Sequence, residues 1–149
     1  MISGSVLIRN PLGPWPWRLV LPAAEKTVTK LVTRVVDYGG LFHDDVKPVH
    51  QFAPRDHRTF RPAGWVEAGA EKIDRMRAIA GVHGLTLLQL ACLWNLKQEP
   101  VQSGVPTFIQ EPRAAATRIA TKVEELARLP EVPPRHADAR RIRGIGENG

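Results

Sequence analysis

The sequence predicts an α/β protein whose strands lie parallel in a single sheet. Residues 30–38 are rich in β-branched side chains and are followed at once by Gly39 and Gly40, which is typical of a strand that ends in a tight turn. The apolar residues of this run come in pairs instead of alternating, as expected for a strand that helices cover on both faces. The predicted order along the chain is helix, strand, long loop, two helices, strand and helix, which is the alternation of parallel α/β folds.

The composition indicates an ordinary globular chain. Its 149 residues are 43% apolar and 24% charged, with a net charge of +6, and this length suits about one domain of ~100–150 residues. No stretch approaches the ~18 apolar residues of a membrane span, and the start lacks a secretory signal, so we expect a cytoplasmic protein without membrane contact. A single cysteine, Cys92, excludes an internal disulfide, and its apolar neighbours predict a buried, inert thiol.

The first part of the chain divides into a lead-in and a helix. Residues 1–17 are predicted to be irregular, because three prolines alternate there with glycine and tryptophan. A short helix is predicted over Arg18–Thr27, directly before the first strand. We therefore divide the chain into a lead-in, 1–17, and one folded unit, 18–149.

A long loop and two helices follow the first strand. Residues 41–66 are polar and contain prolines, and a loop of this length inside a compact domain is usually functional or disordered. Helices are predicted over 68–83 and 87–98. Thr86 and Gln89 have the spacing of a capping box, which marks the start of the second helix.

The last part of the chain predicts one more strand and a helix. Val101–Ile109 is a short strand candidate that Gly104 and Pro106 weaken, and a helix is predicted over Arg113–Leu129. A short basic helix follows around Ala137–Arg143. Two parallel strands do not make a self-sufficient sheet, so the chain has the character of a part of something larger.

Four motifs resemble the C-terminal part of bacterial aldo/keto reductases. They are Thr33–Asp45, Arg61–Glu67, His83–Cys92 and Val105–Glu111, and the resemblance extends from about Leu19 to Asn148. That family is built as a (β/α)8 TIM barrel. The resemblance therefore implies a C-terminal fragment of such a barrel.

The resemblance also implies a place for each element. Residues 31–38 correspond to the seventh barrel strand and residues 101–107 to the eighth. Residues 18–27, 85–98 and 113–129 correspond to the sixth, seventh and eighth crossover helices. The lead-in corresponds to nothing in the family.

The activity that the resemblance implies is NADPH-dependent reduction of aldehydes and ketones, and its reverse. The partners would be a nicotinamide cofactor and a small carbonyl substrate. The family's catalytic Asp, Tyr, Lys and His come from earlier strands, so no catalytic residue is assigned here, and Asp37 and Tyr38 are not members of that set. We therefore expect a truncated reductase that is inactive alone; the alternative is a nonenzymatic binding or assembly module that self-associates through exposed strand edges.

The resemblance places the cofactor against the loops that follow the last two strands. This agrees with the general position of phosphate sites in such barrels. Glycines allow backbone amides to approach a phosphate, and cations four residues apart on one helical face can bind it. The candidate cofactor-binding residues are Gly39, Gly40, Leu41, Thr107, Gln110, Arg118 and Lys122. Thr107 stands where many family members have glycine, and Pro112 begins a departure from the family's usual helix start.

Other patterns carry less functional information. His43, His50 and His57 lie seven residues apart near aspartates. This is not the spacing of a metal-binding helix or Cys/His knuckle, so we predict no metal and expect these histidines to line a substrate mouth or stay solvated.

The basic run 55–61 contains an aromatic residue, as a nucleic-acid-binding patch can. One such run without a recognised fold is a weak signal, so we predict no nucleic-acid partner. The tryptophans at 65 and 94 are expected to pack in the core or between helices.

Overall fold

The computed structural model of the chain describes residues 4–8, 11–12, 17–131 and 134–147. Its centre is a three-stranded parallel sheet in the order β1-β2-β3. The strands are β1 Gly4–Ile8, β2 Lys30–Arg34 and β3 Val101–Val105. The helices are α1 Trp17–Thr27, α2 Trp65–Val82, α3 Leu87–Leu96, α4 Ile119–Ala127 and α5 His136–Glu147, and two short 3-10 helices span Leu41–His43 and His57–Phe60.

The prediction of an irregular lead-in is wrong for residues 4–8. They form β1, which pairs with β2 in parallel from Gly4 opposite Lys30 to Ile8 opposite Arg34. The prolines that argued against a strand begin only at Pro11, so they do not interrupt this ladder. The other lead-in residues, apart from 11–12 and Trp17, lie outside the described part of the chain. The sheet therefore has three described strands instead of the expected two.

Both of the expected strands form, and both are shorter than predicted. β2 ends at Arg34 because Val35 takes a left-handed conformation with φ of 57°. β3 ends at Val105, directly before Pro106, which has no amide hydrogen to continue a ladder. β2 and β3 are also joined by the buried Thr33 hydroxyl, which donates to the Ser103 carbonyl oxygen at 3.2 Å.

The long loop is more structured than the sequence predicts. Residues 41–66 contain both 3-10 helices, and α2 begins within this range at Trp65. Gly64, with φ of 80°, precedes that helix in a left-handed conformation that glycine adopts without steric cost. Irregular backbone therefore connects the two 3-10 helices to each other and to α2.

The remaining helices follow the sequence pattern to different degrees. α3 begins with the predicted capping box: the Gln89 amide donates to the Thr86 hydroxyl at 3.2 Å, and the Thr86 amide donates to the Gln89 side chain at 3.1 Å. α4 begins only at Ile119, six residues later than predicted, because residues 113–118 turn to contact the loop after β2. α5 is longer than the predicted basic helix.

The main core lies where α2, α3, α5 and the first 3-10 helix meet. Its completely buried members include Met76, Leu88, Leu90 and Ile142, and Trp94 is buried among them as predicted. Cys92 is also buried there, and burial raises the pKa of its thiol to about 12. A second cluster packs α1 against the sheet through Leu21, Ala24, Leu31 and Val101.

Within the described ranges, no single helix has the length and hydropathy to cross a membrane. α2 and α3 meet the combined criterion of length and hydropathy only together, and the angle between them is 84°.

Replacing Thr86 with alanine removes the hydroxyl that caps α3. We expect the free energy of unfolding to fall by about 1 kcal/mol, the usual contribution of such a cap. Chemical denaturation measures the change. Thr86→Ser retains the hydroxyl and should restore most of the loss, and Thr121→Ala, at an exposed position of α4, is the control. Equal stability of Thr86→Ala and the wild type would contradict this role.

Candidate functional site at the strand ends

A single buried carboxylate joins the loops that follow β2 and β3. Asp37 is completely buried three residues beyond the end of β2. Its Oδ2 accepts a hydrogen bond from the Gly40 amide at 2.9 Å, and its Oδ1 accepts one from the Thr107 amide at 2.7 Å. Because Gly40 follows β2 and Thr107 follows β3, this side chain fixes the two loops relative to each other at the carboxyl end of the sheet.

The backbone between β2 and the first 3-10 helix is strained. Val35 has φ of 57°, Tyr38 of 50°, Gly39 of 70° and Gly40 of 99°. Such angles cost little for glycine but are unusual for a β-branched or aromatic residue. Residues held in this way cluster at ligand-binding sites, so the turn 35–40 is a candidate binding segment.

Gly40 is required for space as well as conformation. A Cβ atom there would lie 3.2 Å from the Val46 Cγ2 and 3.3 Å from the Arg58 Nη1. Neither neighbour has room to move, because both are buried. The turn can therefore pack this tightly only with glycine.

Arg58 fastens the long loop to this turn. Its buried guanidinium donates from Nη1 to the Glu111 Oε1 at 2.6 Å and to the Gly39 carbonyl oxygen at 3.1 Å, and from Nη2 to the Asp56 Oδ2 at 2.6 Å. Burial alone would lower the pKa of Arg58, but the hydrogen bonds to Asp56 and Glu111 raise it above its ordinary value. The Arg58 hydrogen bond lowers the pKa of Asp56 to about 2. His50 lies beside the same cluster, with Nε2 3.2 Å from the Glu111 Oε2.

Lys122 forms a second buried ion pair. Its ammonium contacts the Asp45 carboxylate and donates to the Ile109 carbonyl oxygen. Asp45 also accepts a hydrogen bond from the Thr117 hydroxyl at 3.0 Å. Burial alone would raise the pKa of Asp45, but the bonds from Lys122 and Thr117 lower it. This pair connects α4 to the loop after β2.

A cleft of about 360 Å³ opens beside the first 3-10 helix. His43 lines it with a buried side chain, whose Nε2 lies 3.3 Å from the Thr107 carbonyl oxygen and 4.0 Å from the Asp37 Oδ2. No described residue forms a hydrogen bond with its Nδ1. Burial, and then the positive charge of Lys122, lower the pKa of His43, so its imidazole is neutral at pH 7. Arg77 and Glu125 are charged residues in the same wall.

The structure brings together only part of the predicted cofactor set. Gly40 and Thr107 donate to Asp37, and Gly39, in the same turn, accepts a hydrogen bond from Arg58. Leu41 is buried in the main core. The Gln110 Oε1 accepts a hydrogen bond from the Ile119 amide at 3.4 Å, at the start of α4.

Arg118 and Lys122 do not present two cations on one exposed helical face. Arg118 is the exposed residue that precedes α4, whereas Lys122 is buried and engaged with Asp45. The expected common face is absent because α4 begins later than the sequence pattern indicates. Cofactor binding by these two residues, and by the rest of the predicted set, stays a prediction.

Sequence reasoning missed the residues that organise the site. The sequence analysis excludes Asp37 from the family's catalytic set and gives it no other role, although an aspartate three residues before a glycine is typical of a β-turn. Arg58 and Glu111 are 53 positions apart, and nothing in the sequence pairs them.

The three histidines of the long loop lie in different surroundings. His43 lies near Asp37, His50 near Glu111, and the exposed His57 beside Asp56. In the part of the chain that the structure describes, no three or more metal-ligating side chains converge.

The arrangement is that of a parallel α/β sheet with polar loops gathered at the carboxyl ends of its strands. Two solved structures with a similar fold are aldo-keto reductases, a family of TIM barrels. The resemblance stated from the sequence is thereby confirmed as a likeness of fold.

Two solved structures illustrate the likeness. Glycerol dehydrogenase from Gluconobacter oxydans has a TM-score of 0.77 and 18% sequence identity, with coverage of 95% of this chain and 41% of that chain. A thermostable aldo-keto reductase solved with the inhibitor epalrestat has a TM-score of 0.60 and 15% identity, with coverage of 96% and 39%. This chain thus spans about two fifths of the length of these structures. No family model matches the chain, and no curated protein matches it.

The Asp56–Arg58 pair should make stability depend on pH. Since the folded-state pKa of Asp56 is about 2, below its ordinary value of 3.8, the pair stabilises the fold above about pH 4 and loses this effect as the pH falls towards 2. We expect Asp56→Asn to lower the free energy of unfolding by about 1 kcal/mol at pH 7, allowing for solvent screening of the pair.

The measurement is chemical denaturation of the wild type and Asp56→Asn at several pH values. The difference between them should shrink as the pH falls from 4 to 2. Glu71→Gln, at an exposed position of α2, is the matched control. A difference that stays constant over this range would show that the Asp56 charge does not stabilise the fold.

Proposed function

We propose that this chain contributes the cofactor-binding side of an NADPH-dependent aldo-keto reductase barrel. The observation that carries the proposal is the pair of strand-end loops joined through Asp37, in a fold similar to that of aldo-keto reductases. Ligands of such barrels bind at the carboxyl ends of the strands, and phosphate groups often lie near the last two.

The proposal assigns β2 and β3 to the seventh and eighth strands of the barrel. Their parallel pairing, with α2 and α3 between them in sequence, supports this assignment. β1 pairs with the other side of β2 and precedes α1, so it takes the place of the sixth strand. The sequence resemblance assigns no barrel element to these residues.

The residues present fit part of a dinucleotide. The Gly39–Gly40 turn provides backbone without side chains, and the neutral His43 has a ring nitrogen without a described partner next to a cleft. Gly40 can offer no free amide to a phosphate while Asp37 accepts its hydrogen bond, so Gly39 is the better candidate for backbone contact. Thr107, Gln110 and the exposed Arg118 would bind the adenosine end.

Hydride transfer would be the contribution of the nicotinamide when bound. This chain's residues would bind and orient the dinucleotide, and the buried Asp37 would hold the two loops at a fixed separation. The proposal assigns no catalytic acid or base to any residue of this chain. The chain alone is therefore proposed to bind cofactor without reducing a carbonyl substrate, which would require residues from other barrel strands.

Titration calorimetry with NADPH tests the proposal. We expect saturable binding, weakened by Arg118→Gln because the variant lacks a cation beside the predicted phosphate site, and unchanged by Arg75→Gln on the exposed side of α2. Addition of a simple aldehyde should cause no decrease in NADPH absorbance. Absence of NADPH binding would contradict the proposed function, and robust turnover by this chain alone would contradict the absence of catalytic residues.

A second candidate function is that of an assembly module. β1 and β3 each pair only with β2 in the described sheet, so each has an outer edge with no described strand beside it, and Val105 on β3 is 49% exposed. Open edges of this kind bind other strands. Sedimentation velocity should then show a concentration-dependent dimer that Val105→Lys weakens, whereas Val123→Lys, at a similarly exposed position of α4, should not. A monomer of 16.5 kDa at all concentrations would contradict this candidate.

A further inference from the structure

A stack of aromatic rings lies beside the strand-end turn and holds an arginine at each end. Trp65 and Phe52 are stacked, with ring centroids 5.8 Å apart and an angle of 14° between the planes. Arg58 lies over the outer face of this pair, with Cζ 4.6 Å from the Phe52 centroid. At the other end, the Arg61 Cζ lies 4.3 Å from the Trp65 centroid and 4.7 Å from that of Tyr38.

The two arginines differ in how their charge is compensated. Arg58 is buried and donates to the carboxylates of Asp56 and Glu111. Arg61 is only half-buried, and among the described residues no carboxylate pairs with it and no acceptor receives a hydrogen bond from its guanidinium. The rings stabilise its charge through their faces, which leaves the N–H groups at the edge of the guanidinium available.

Arg61 also lies against the strained turn. A Cβ atom at Gly39 would be 3.2 Å from the Arg61 Nη2, so the guanidinium touches backbone that carries no side chain. Tyr38, which forms one wall around Arg61, has the unusual φ of 50° and belongs to the same turn. The strained turn thus contributes one of the two rings that face this guanidinium.

We propose that Arg61 is the recognition group of an oxyanion-binding site at the carboxyl end of the sheet. Tyr38 and Trp65 hold its planar fork in one orientation, which lowers the entropy lost when two parallel N–H···O bonds form with a carboxylate or phosphate. The shared chemistry of the ligand is a pair of anionic oxygens. They can belong to the phosphates of a dinucleotide or to the carboxylate of an acidic substrate.

This inference rests on the contacts of Arg61 and requires no hydride transfer. It adds to the proposed function a binding group that the predicted cofactor set did not contain. The opposite interpretation is that Arg61 only packs against the rings. In that case added oxyanions would not bind in a way that depends on residue 61.

The experiment titrates the full chain with inorganic pyrophosphate and, separately, with succinate. Binding is followed by calorimetry and by tryptophan emission, because Arg61 lies on the face of Trp65. At least one probe should bind saturably with a change in emission that is absent in Trp65→Phe. Arg61→Lys, which keeps the charge but not the fork, should weaken binding about tenfold, and Arg61→Gln should abolish it.

Arg75→Gln is the matched control, since it removes the same charge from an exposed position of α2 and should leave binding unchanged. Circular dichroism of each variant establishes that it is folded, and Arg61→Lys supplies the decisive comparison if Arg61→Gln is not. Binding of pyrophosphate alone identifies phosphate as the ligand chemistry, and binding of succinate alone identifies carboxylate. No binding of either probe, or equal binding by the wild type and a folded Arg61 variant, overturns the proposal.

The same variants separate this proposal from the proposed function. If pyrophosphate or succinate binds through Arg61 and NADPH does not bind, the oxyanion site stands and the cofactor role fails. If NADPH binds equally to the wild type and Arg61→Gln, and neither small anion binds, the cofactor role stands and the oxyanion site fails.

Discussion

The carboxylate of Asp37 determines the shape of the whole strand-end region. Its two oxygens accept hydrogen bonds from backbone amides that are 67 positions apart in sequence, at Gly40 and Thr107. A charge this deeply buried is costly unless hydrogen bonds compensate it. The fold therefore keeps both amides in place, and this requirement fixes the loops after β2 and β3 relative to each other. The strained turn 35–40 contains this aspartate, and the His43 Nε2 lies 4.0 Å from its Oδ2.

Two buried cations extend this organisation outwards. Arg58 connects the long loop to the Gly39 carbonyl and to Glu111, and Lys122 connects α4 to Asp45. Removing one member of such a pair leaves the other charge buried and uncompensated, which destabilises far more than loss of an exposed pair. The region is thus held by these buried charges together with apolar packing, because Val36, Leu41 and Phe42 of the segment after β2 belong to the main core.

Local signals in the sequence predicted the local structure, and long-range contacts decided the rest. The spacing of Thr86 and Gln89 correctly marked the start of α3, because a capping box involves only neighbouring residues. The pattern after residue 113 predicted a longer α4. The helix begins later because Arg113 donates to the Asp45 carbonyl oxygen at 2.6 Å, a partner 68 positions away that no local pattern reveals. The likeness to aldo-keto reductases came from motifs, but Asp37, Arg58 and Arg61 have roles that depend on which segments meet in space.

The buried thiol of Cys92 gives the core a chemical reporter. Only the thiolate reacts with alkylating and disulfide reagents, and a pKa of about 12 leaves almost none of it at neutral pH while the core is closed. Modification must therefore proceed through states in which α3 has separated from its neighbours. The rate of labelling, compared with that of a free thiol, measures how often those states form. One native cysteine thus makes the opening of the main core measurable without introducing a labelling site.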